Sequence, residues 1–125
     1  MAATDRARRI RPDERVVADP VPGMVRERAM ATDGMWAGLV RTEAQTASGW
    51  HHHGDYDTCA YVVSGQLRME SGPGGADVVV AEPGDFVFVP KGAIHREGNP
   101  TDGDGEVVVV RVGTGQVVFE VDGPA

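Results

Sequence analysis

The sequence has few cysteines and no long apolar run, and each shortage excludes a class of protein. The 125 residues include one cysteine, Cys59, so an internal disulfide framework is excluded and a reducing compartment is favoured. We predict that Cys59 is a small buried hydrophobe. No apolar run approaches the roughly 20 residues that cross a bilayer, and the start of the chain has no hydrophobic signal core. We therefore expect a cytoplasmic protein with no membrane partner.

Positive charge is also scarce beyond the first residues. The formal net charge is -7 at pH 7, which opposes binding to nucleic acid or anionic lipid. The exception is a run of arginines, namely Arg6, Arg8, Arg9, Arg11 and Arg15. Because polar runs of this kind are usually solvated, we predict a partly flexible basic arm over residues 1–20. Residues 21–125 are predicted to form a single domain, since this length supports one core.

Segments with a helical period are missing, and short runs rich in Val, Phe and Tyr take their place. The 17 glycines and 8 prolines of the chain punctuate these runs, which is typical of β structure. We predict strands at residues 24–30, 35–45, 57–63, 66–70, 78–82, 85–89, 106–112 and 116–121. Only residues 5–17 are candidates for a short helix, and Pro12 weakens that prediction. Many short antiparallel strands must form a sandwich or a closed barrel to protect their edges.

Histidine is rare as well, but three of the four histidines are adjacent. If residues 50–54 are extended, His51 and His53 share a face and His52 points the other way. The fourth, His95, follows a predicted strand, and a closed barrel can bring it beside the first pair. Three imidazole ligands would then converge. The alternative is a loop of histidines with no metal.

The spacing around these histidines resembles the two sequence motifs of the cupin superfamily. The second motif is matched at every defined position, by Gly84, Pro90, Gly92, His95 and Asn99. The first motif is matched in part, by His51, His53 and Gly65. The resemblance implies an all-β fold, a cupin-type antiparallel β-barrel (double-stranded β-helix or jelly roll). It also implies a metal ion in the barrel mouth, but no particular reaction, because the fold hosts many chemistries.

Two positions depart from the first motif. Thr58 stands where the motif has a glutamate ligand, and Gln45 stands where it opens with glycine, so Gly49 is a candidate for that turn. A neutral hydroxyl is a poor ligand beside imidazole, and Thr58 is better suited to hydrogen-bond a metal-bound water. Asp57 carries the right charge but points to the other face of a regular strand. A β-bulge would turn it inward as a fourth ligand, and we favour the three histidines alone.

Three neutral imidazoles leave a divalent ion with open positions for water, dioxygen or substrate, which suits catalysis. Resemblance to three-histidine cupin dioxygenases favours Fe(II), while Zn, Ni, Mn and Cu remain open. Thr58 and Tyr56 are the candidate catalytic residues. Arg96 and Glu97 follow His95 directly and are candidates to bind a carboxylate and to orient a ligand, respectively, but adjacent opposite charges at the end of a strand are usually exposed.

Three functions follow from this site. The first is a dioxygenase-like, metal-dependent enzyme acting on a small oxygenated molecule. The second is a metal-dependent isomerase, cyclase or lyase without redox chemistry. The third is a cupin that binds a small molecule without catalysis. The resemblance also implies a homodimer, which would cover an exposed edge strand; the segment Arg26 to Met30 is our candidate for that edge.

Overall fold

The strands of the protein are short and follow one another closely along the chain. A computed structural model describes residues 6–18 and 23–124. In chain order the strands are β1 (Val16–Val17), β2 (Met24–Ala31), β3 (Met35–Thr42), β4 (Thr46–Ala47), β5 (His51–His52), β6 (Asp57–Ser64), β7 (Leu67–Ser71), β8 (Asp77–Ala81), β9 (Phe86–Val89), β10 (His95–Asn99), β11 (Gly105–Val112) and β12 (Phe119–Glu120). The helical structure within the described ranges is limited to two single 3₁₀ turns, Pro12–Glu14 and Pro73–Gly75.

The strands form two antiparallel sheets. The first has the order β1-β2-β3-β11-β6-β9, and the second has the order β12-β5-β10-β7-β8 with β4 also paired to β10. Strands distant in sequence are neighbours in both sheets, as in β11 beside β3 and β6, or β10 beside β5 and β7. This crossing of the chain between two sheets matches the double-stranded β-helix predicted from the motifs.

Alternation along the strands builds the core between the sheets. Strand β11 alternates buried and more exposed residues from Gly105 to Arg111, and β6 does the same from Asp57 to Val63. Successive side chains of a strand point to opposite faces, so every second residue enters the barrel. The core consists of Met24, Trp36, Val40, Ala60, Val62, Leu67, Met69, Ala81, Val87, Val89, Val107 and Val109. Buried polar residues, among them His51, His53 and His95, also lie inside the barrel.

The strand predictions agree with the fold except where pairing is short or irregular. The predicted strand at 35–45 ends at Thr42 because the backbone turns, and the segment resumes as β4. Gln45 has φ of 55°, and no other non-glycine residue of the described ranges has positive φ. Thus Gln45 adopts the left-handed conformation at the position where the motif has glycine, and Gly49 does not replace it. Strands β1, β4, β5 and β10 were not predicted, since each has two to five residues.

The described part of the basic arm is attached to the first sheet. Val16 and Val17 pair with Arg28 and Glu27 of β2. Strand β2 is therefore flanked by β1 and β3 over Arg26 to Arg28, so the expected open edge at Arg26 to Met30 is covered in that part. The predicted boundary between residues 20 and 21 lies outside the described residues. Nowhere in residues 6–18 and 23–124 is a helix long and apolar enough to span a membrane.

The outer face of the first sheet is unusually apolar. Cys59 is exposed there, so the prediction that it is buried was wrong. Its neighbour on the inner face is Thr58, and alternation sends the two side chains in opposite directions. Phe86 and Phe88 of β9 are 70% and 66% exposed, and Tyr61 of β6 contacts Phe86 with ring centroids 4.9 Å apart.

Candidate metal centre

Three histidines converge inside the barrel. His51 on β5 is the register partner of His95 on β10, and His53 follows β5 on the same face as His51. The imidazole centroids lie 4.4 Å apart for His51 and His95, 5.0 Å for His53 and His95, and 5.1 Å for His51 and His53. Each residue is at most 3% exposed. The sequence prediction that two neighbouring strands bring these three side chains together agrees with this arrangement.

Backbone carbonyls fix the orientation of all three rings. The Nδ1 atoms of His51, His53 and His95 lie 3.0, 2.8 and 2.9 Å from the carbonyl oxygens of Gly49, Val117 and Ala93. A carbonyl oxygen only accepts, so Nδ1 carries the proton in each ring and Nε2 keeps a lone pair. The Nε2 atoms of His51 and His95 are buried without a hydrogen-bond partner among the described residues. Histidine ligands of metals are held in this way by their second nitrogen.

A carboxylate completes the group, and it is Glu97. Its side chain is 13% exposed, with Oε1 3.5 Å from His51 Nε2 and 3.7 Å from Arg26 Nη2. One ligand atom from each of His51, His53, His95 and Glu97 lies within 4.8 Å of the others, and we call these four residues the donor cluster. The expectation that Glu97 is exposed was wrong. Glu97 lies two positions after His95, so it points to the same face of β10.

The ionisation states of the donor cluster suit a metal. Burial and, after it, the charge of Arg111 lower the pKa of His53 to about 2. Burial also lowers the pKa of His95, although Glu97 acts in the opposite direction. Burial alone would raise the pKa of Glu97, but contacts with the neighbouring histidines and Arg26 outweigh it and hold that pKa below the usual range. Neutral imidazole and ionised carboxylate are the forms that bind metals.

The contact between His51 and Glu97 tests whether a cation fits. With its proton on Nδ1, His51 presents a lone pair from Nε2 to a carboxylate oxygen 3.5 Å away. In that neutral form two acceptors face each other and repel, and either a proton on Nε2, which is what lowers the pKa of Glu97, or a divalent ion between them makes the contact attractive. Four nitrogen and oxygen donors are also the usual protein share of a divalent site. The residues present therefore fit one divalent metal ion.

Other residues near the histidine run lie elsewhere. His52 points away from the donor cluster and stacks on Phe119, with centroids 4.9 Å apart and planes 10° apart. Asp57 lies outside the donor cluster, and its carboxylate accepts the backbone N–H of Lys91 at 3.1 Å. The hydroxyl of Tyr56 donates to the carbonyl of Gly115 at 3.1 Å. A fourth-ligand role for Asp57 and a catalytic role for Tyr56 thus find no geometric support.

Thr58 keeps the inward direction predicted for it. It is 4% exposed, and its Oγ1 has no hydrogen-bond partner within the described ranges. Thr58 lines a small interior cavity of about 20 Å³ together with Arg111 and three members of the donor cluster, His53, His95 and Glu97. The cavity holds about one water-sized group. Chemistry at the donor cluster is therefore restricted to a small, enclosed space.

A larger groove of about 390 Å³ is lined partly by Arg68, Glu70 and Arg96, and it shares Glu97 with the interior cavity. Glu70 bridges the two arginines, and Arg96 stacks over Trp50 at 4.5 Å from the ring centre. The side chains of these arginines are 44% and 41% exposed. Exposed ion pairs of this kind are common on protein surfaces. The groove therefore has fewer of the features of a reactive site than the interior cavity has.

Comparison with known proteins assigns the family. A family model described as a cupin domain matches residues 38–111, which is more than half of the chain. The chain belongs to the cupin family. No curated protein matches it significantly in sequence.

Solved cupin-like structures share this fold at low identity. KdgF from Halomonas sp. has a TM-score of 0.70 at 23% identity, over 85% of this chain and 94% of that one. The polyketide cyclase RemF from Streptomyces resistomycificus has a TM-score of 0.75 at 15% identity, over 93% and 86% of the two chains. HppE with Fe(II) has a TM-score of 0.75 at 16% identity, over 88% and 62%. Such identities show a common fold and no common activity.

The motif residues of this cupin have clear local roles. Gly65 has φ of 74°, and an added Cβ there would lie 2.8 Å from Gly105. The Asn99 side chain donates to the Gly103 carbonyl at 2.7 Å and accepts the N–H of Thr101 at 3.0 Å. Gly65 lies in the turn between β6 and β7, and Asn99 holds the turn between β10 and β11. They therefore position the donor cluster without touching it.

Proposed function

We propose that this cupin is a metal-dependent enzyme of the dioxygenase type, acting on a small oxygenated molecule, with one divalent ion held by three histidines and Glu97. The observation that carries the proposal is the donor cluster itself, in which ligand atoms of three buried histidines and of the half-buried Glu97 lie within 4.8 Å of one another. Carboxylate favours harder ions such as Mn(II), while imidazole also suits Fe, Zn, Ni and Cu. A mixed set favours Fe(II), and the Fe(II) form of the structural neighbour HppE supports that choice.

The bound ion would supply Lewis-acid polarisation and, with Fe(II), activation of dioxygen. The protein supplies the rest. The backbone carbonyls of Gly49, Val117 and Ala93 hold the imidazoles in one orientation. Glu97 brings a negative charge beside Arg26. The enclosed cavity excludes bulk water, which strengthens every electrostatic interaction inside it.

A second candidate is a cyclase, isomerase or lyase without redox chemistry. It is favoured by the likeness to RemF, a polyketide cyclase that matches 93% of this chain. Thr58 together with a water on the ion would then form the proton-transfer group, since the Thr58 hydroxyl lies in the cavity without a partner among the described residues. Turnover that continues without dioxygen would favour this candidate over the first.

Metal analysis of tag-free protein tests the proposal. We expect one divalent ion per chain in the wild type, and a loss of most of it in His51→Ala, His53→Ala, His95→Ala and Glu97→Gln. His52→Ala is the matched control, because His52 belongs to the same run but stacks on Phe119 away from the donor cluster. Unchanged metal content in all the variants would reject the site. A cupin that binds a ligand equally well after chelation would be a binding protein and no enzyme.

We also propose that two copies of the chain form a homodimer through the outer face of β9 and β6. Full burial of an aromatic side chain removes about 150–250 Å² from water, and Phe86 and Phe88 are each at least 66% exposed. With Tyr61 and Val63 beside them, the patch reaches about 400–500 Å², over half the roughly 800 Å² per partner of a standard interface. A second copy carries the same patch, so a twofold contact would cover both.

A further inference from the structure

Arg111 and Thr58 are neighbours on the inner face of the first sheet. They are register partners on β11 and β6, and they are 2% and 4% exposed. Both line the interior cavity together with His53, His95 and Glu97. A guanidinium and a hydroxyl therefore reach the same enclosed space as the donor cluster, from a different sheet.

The Arg111 side chain is held in one place. Its guanidinium lies over the ring of Trp36, 4.7 Å from the centroid, and Trp36 is its register partner on β3. Trp36 is itself 4% exposed, so the stacked pair is fixed within the core. A guanidinium held over an aromatic ring still has N–H groups for a second partner, and their planar fork matches a carboxylate.

The hydroxyl of Thr58 is the second indication that a ligand binds in this cavity. Its Oγ1 is buried and has no hydrogen-bond partner in the part of the chain that the structure describes. Buried polar groups are nearly always satisfied, and an exception calls for an explanation such as a ligand. The position of Thr58 beside Arg111 indicates which ligand would satisfy it. A hydroxyl and a guanidinium can both donate hydrogen bonds to the two oxygens of one anion.

The charge of the interior favours an anion. The fully buried charged side chains of the described ranges, histidines apart, are Arg26 and Arg111, and Glu97 is the one carboxylate of the donor cluster. A divalent ion on neutral histidines would add two positive charges to this set. Buried charge is costly unless it is balanced by the opposite sign. Other contacts of the two arginines balance part of their charge, and the added charge of the ion is what favours a negatively charged ligand over a neutral one.

We propose that Arg111 and Thr58 form a carboxylate receptor, so that the substrate class is a carboxylic acid whose carboxylate enters the cavity beside the donor cluster. This inference rests on the proposed function, since it assigns the substrate of that site. The cavity of about 20 Å³ holds about one water-sized group, so a carboxylate enters only when the lining side chains move outward. Met24 and Met69 also line it, and flexible thioether side chains adapt to a ligand more readily than branched ones do.

Formate, the smallest carboxylate, is the probe, and neutral formamide is its control. Binding is followed by tryptophan fluorescence in a Trp50→Phe background, which leaves Trp36, beneath Arg111, as the only tryptophan. We expect formate to shift the emission and formamide to have little effect. Thr58→Val, which is close in shape, should weaken formate binding about tenfold or more through loss of a hydrogen bond to a charged group.

Arg111→Lys keeps the charge but removes the planar fork, so we expect a loss of similar size. Arg68→Gln is the control, because this arginine lies outside the barrel with its side chain 44% exposed, and it should not change the affinity. If Arg111→Lys does not fold, Thr58→Val decides. No formate binding to the wild type, or an equal affinity in Thr58→Val, overturns the receptor.

Metal content of the same samples separates this inference from the proposed function. A wild type that binds metal but shows no carboxylate binding dependent on Thr58 and Arg111 overturns the receptor and leaves the metal site standing. A wild type without metal overturns the proposed function. In that case formate is tested on the metal-free protein. Binding that Thr58→Val weakens supports the receptor, and no binding overturns it.

Discussion

Replacing Glu97 by glutamine should weaken both metal binding and the metal-free fold. Oε1 lies 3.7 Å from Nη2 of Arg26, whose side chain is fully buried. At an effective dielectric constant of about 20, charges at this distance attract by about 4–5 kcal/mol. Removing one member of a buried pair costs about 3–5 kcal/mol in proteins. Other contacts of Arg26 moderate this loss, so we expect the free energy of unfolding to fall by about 3 kcal/mol.

Urea and thermal unfolding of chelator-treated protein would measure this loss. For 125 residues, about 3 kcal/mol corresponds to a fall in Tm of roughly 10 °C. The control is Glu70→Gln: the side chain of Glu70 is also 13% exposed, but it pairs with two half-exposed arginines outside the barrel. Such surface pairs contribute at most about 1 kcal/mol. Equal Tm losses in the two variants would refute the assignment of Glu97 to a buried ion pair.

Metal affinity is the second readout of the same substitution. Loss of a residue that merely supports a metal ligand lowers affinity about 10–100-fold, so loss of a ligand should lower it at least about 100-fold. A competition titration with a chromogenic chelator measures this. Glu97→Gln with wild-type affinity would show that the carboxylate lies near the ion without binding it, whereas Glu70→Gln should bind as the wild type does.

Four further results are expected. Chelation should lower the stability of the holoprotein, by about 2.7 kcal/mol when free metal had been at 100 times its Kd, and a Tm that chelation leaves unchanged would argue against a bound ion. Gln45→Gly should be more stable in urea than Gln45→Ala by about 1 kcal/mol, because φ of 55° strains any residue with a Cβ; equal midpoints would contradict this. The hydrogen bond from Arg96 lowers the pKa of Glu70 below 4.5. The stabilising effect of the Glu70 carboxylate is therefore present above pH 4.5 and lost as pH falls through the folded-state pKa. A difference in the free energy of unfolding between wild type and Glu70→Gln that persists in strong acid would refute this. Phe88→Ser should shift the protein from dimer to monomer in light scattering after gel filtration, with the exposed Val16→Ser as control, and a monomeric wild type would remove the proposed homodimer.

The sequence alone determined the family and the convergence of three histidines. This information is local, because the spacing of His51 and His53 places both on one face of a strand, and the second motif identifies His95. The alternation rule also directs Thr58 inward and Asp57 outward, as observed. The same rule, applied two residues beyond His95, would have directed Glu97 inward. For Glu97 this alternation rule was a better predictor than the general tendency of adjacent opposite charges to be exposed.

Only the tertiary structure decided which carboxylate joins the histidines and what surrounds them. Glu97 occupies the role that the motif gives to the position of Thr58, and it does so because β10 lies beside β5. Arg111 and Trp36 gave no signal in the sequence. They become part of the interior because β11 lies between β3 and β6. Pairing between strands distant in the chain depends on the packing of the whole barrel, and no short segment contains that information.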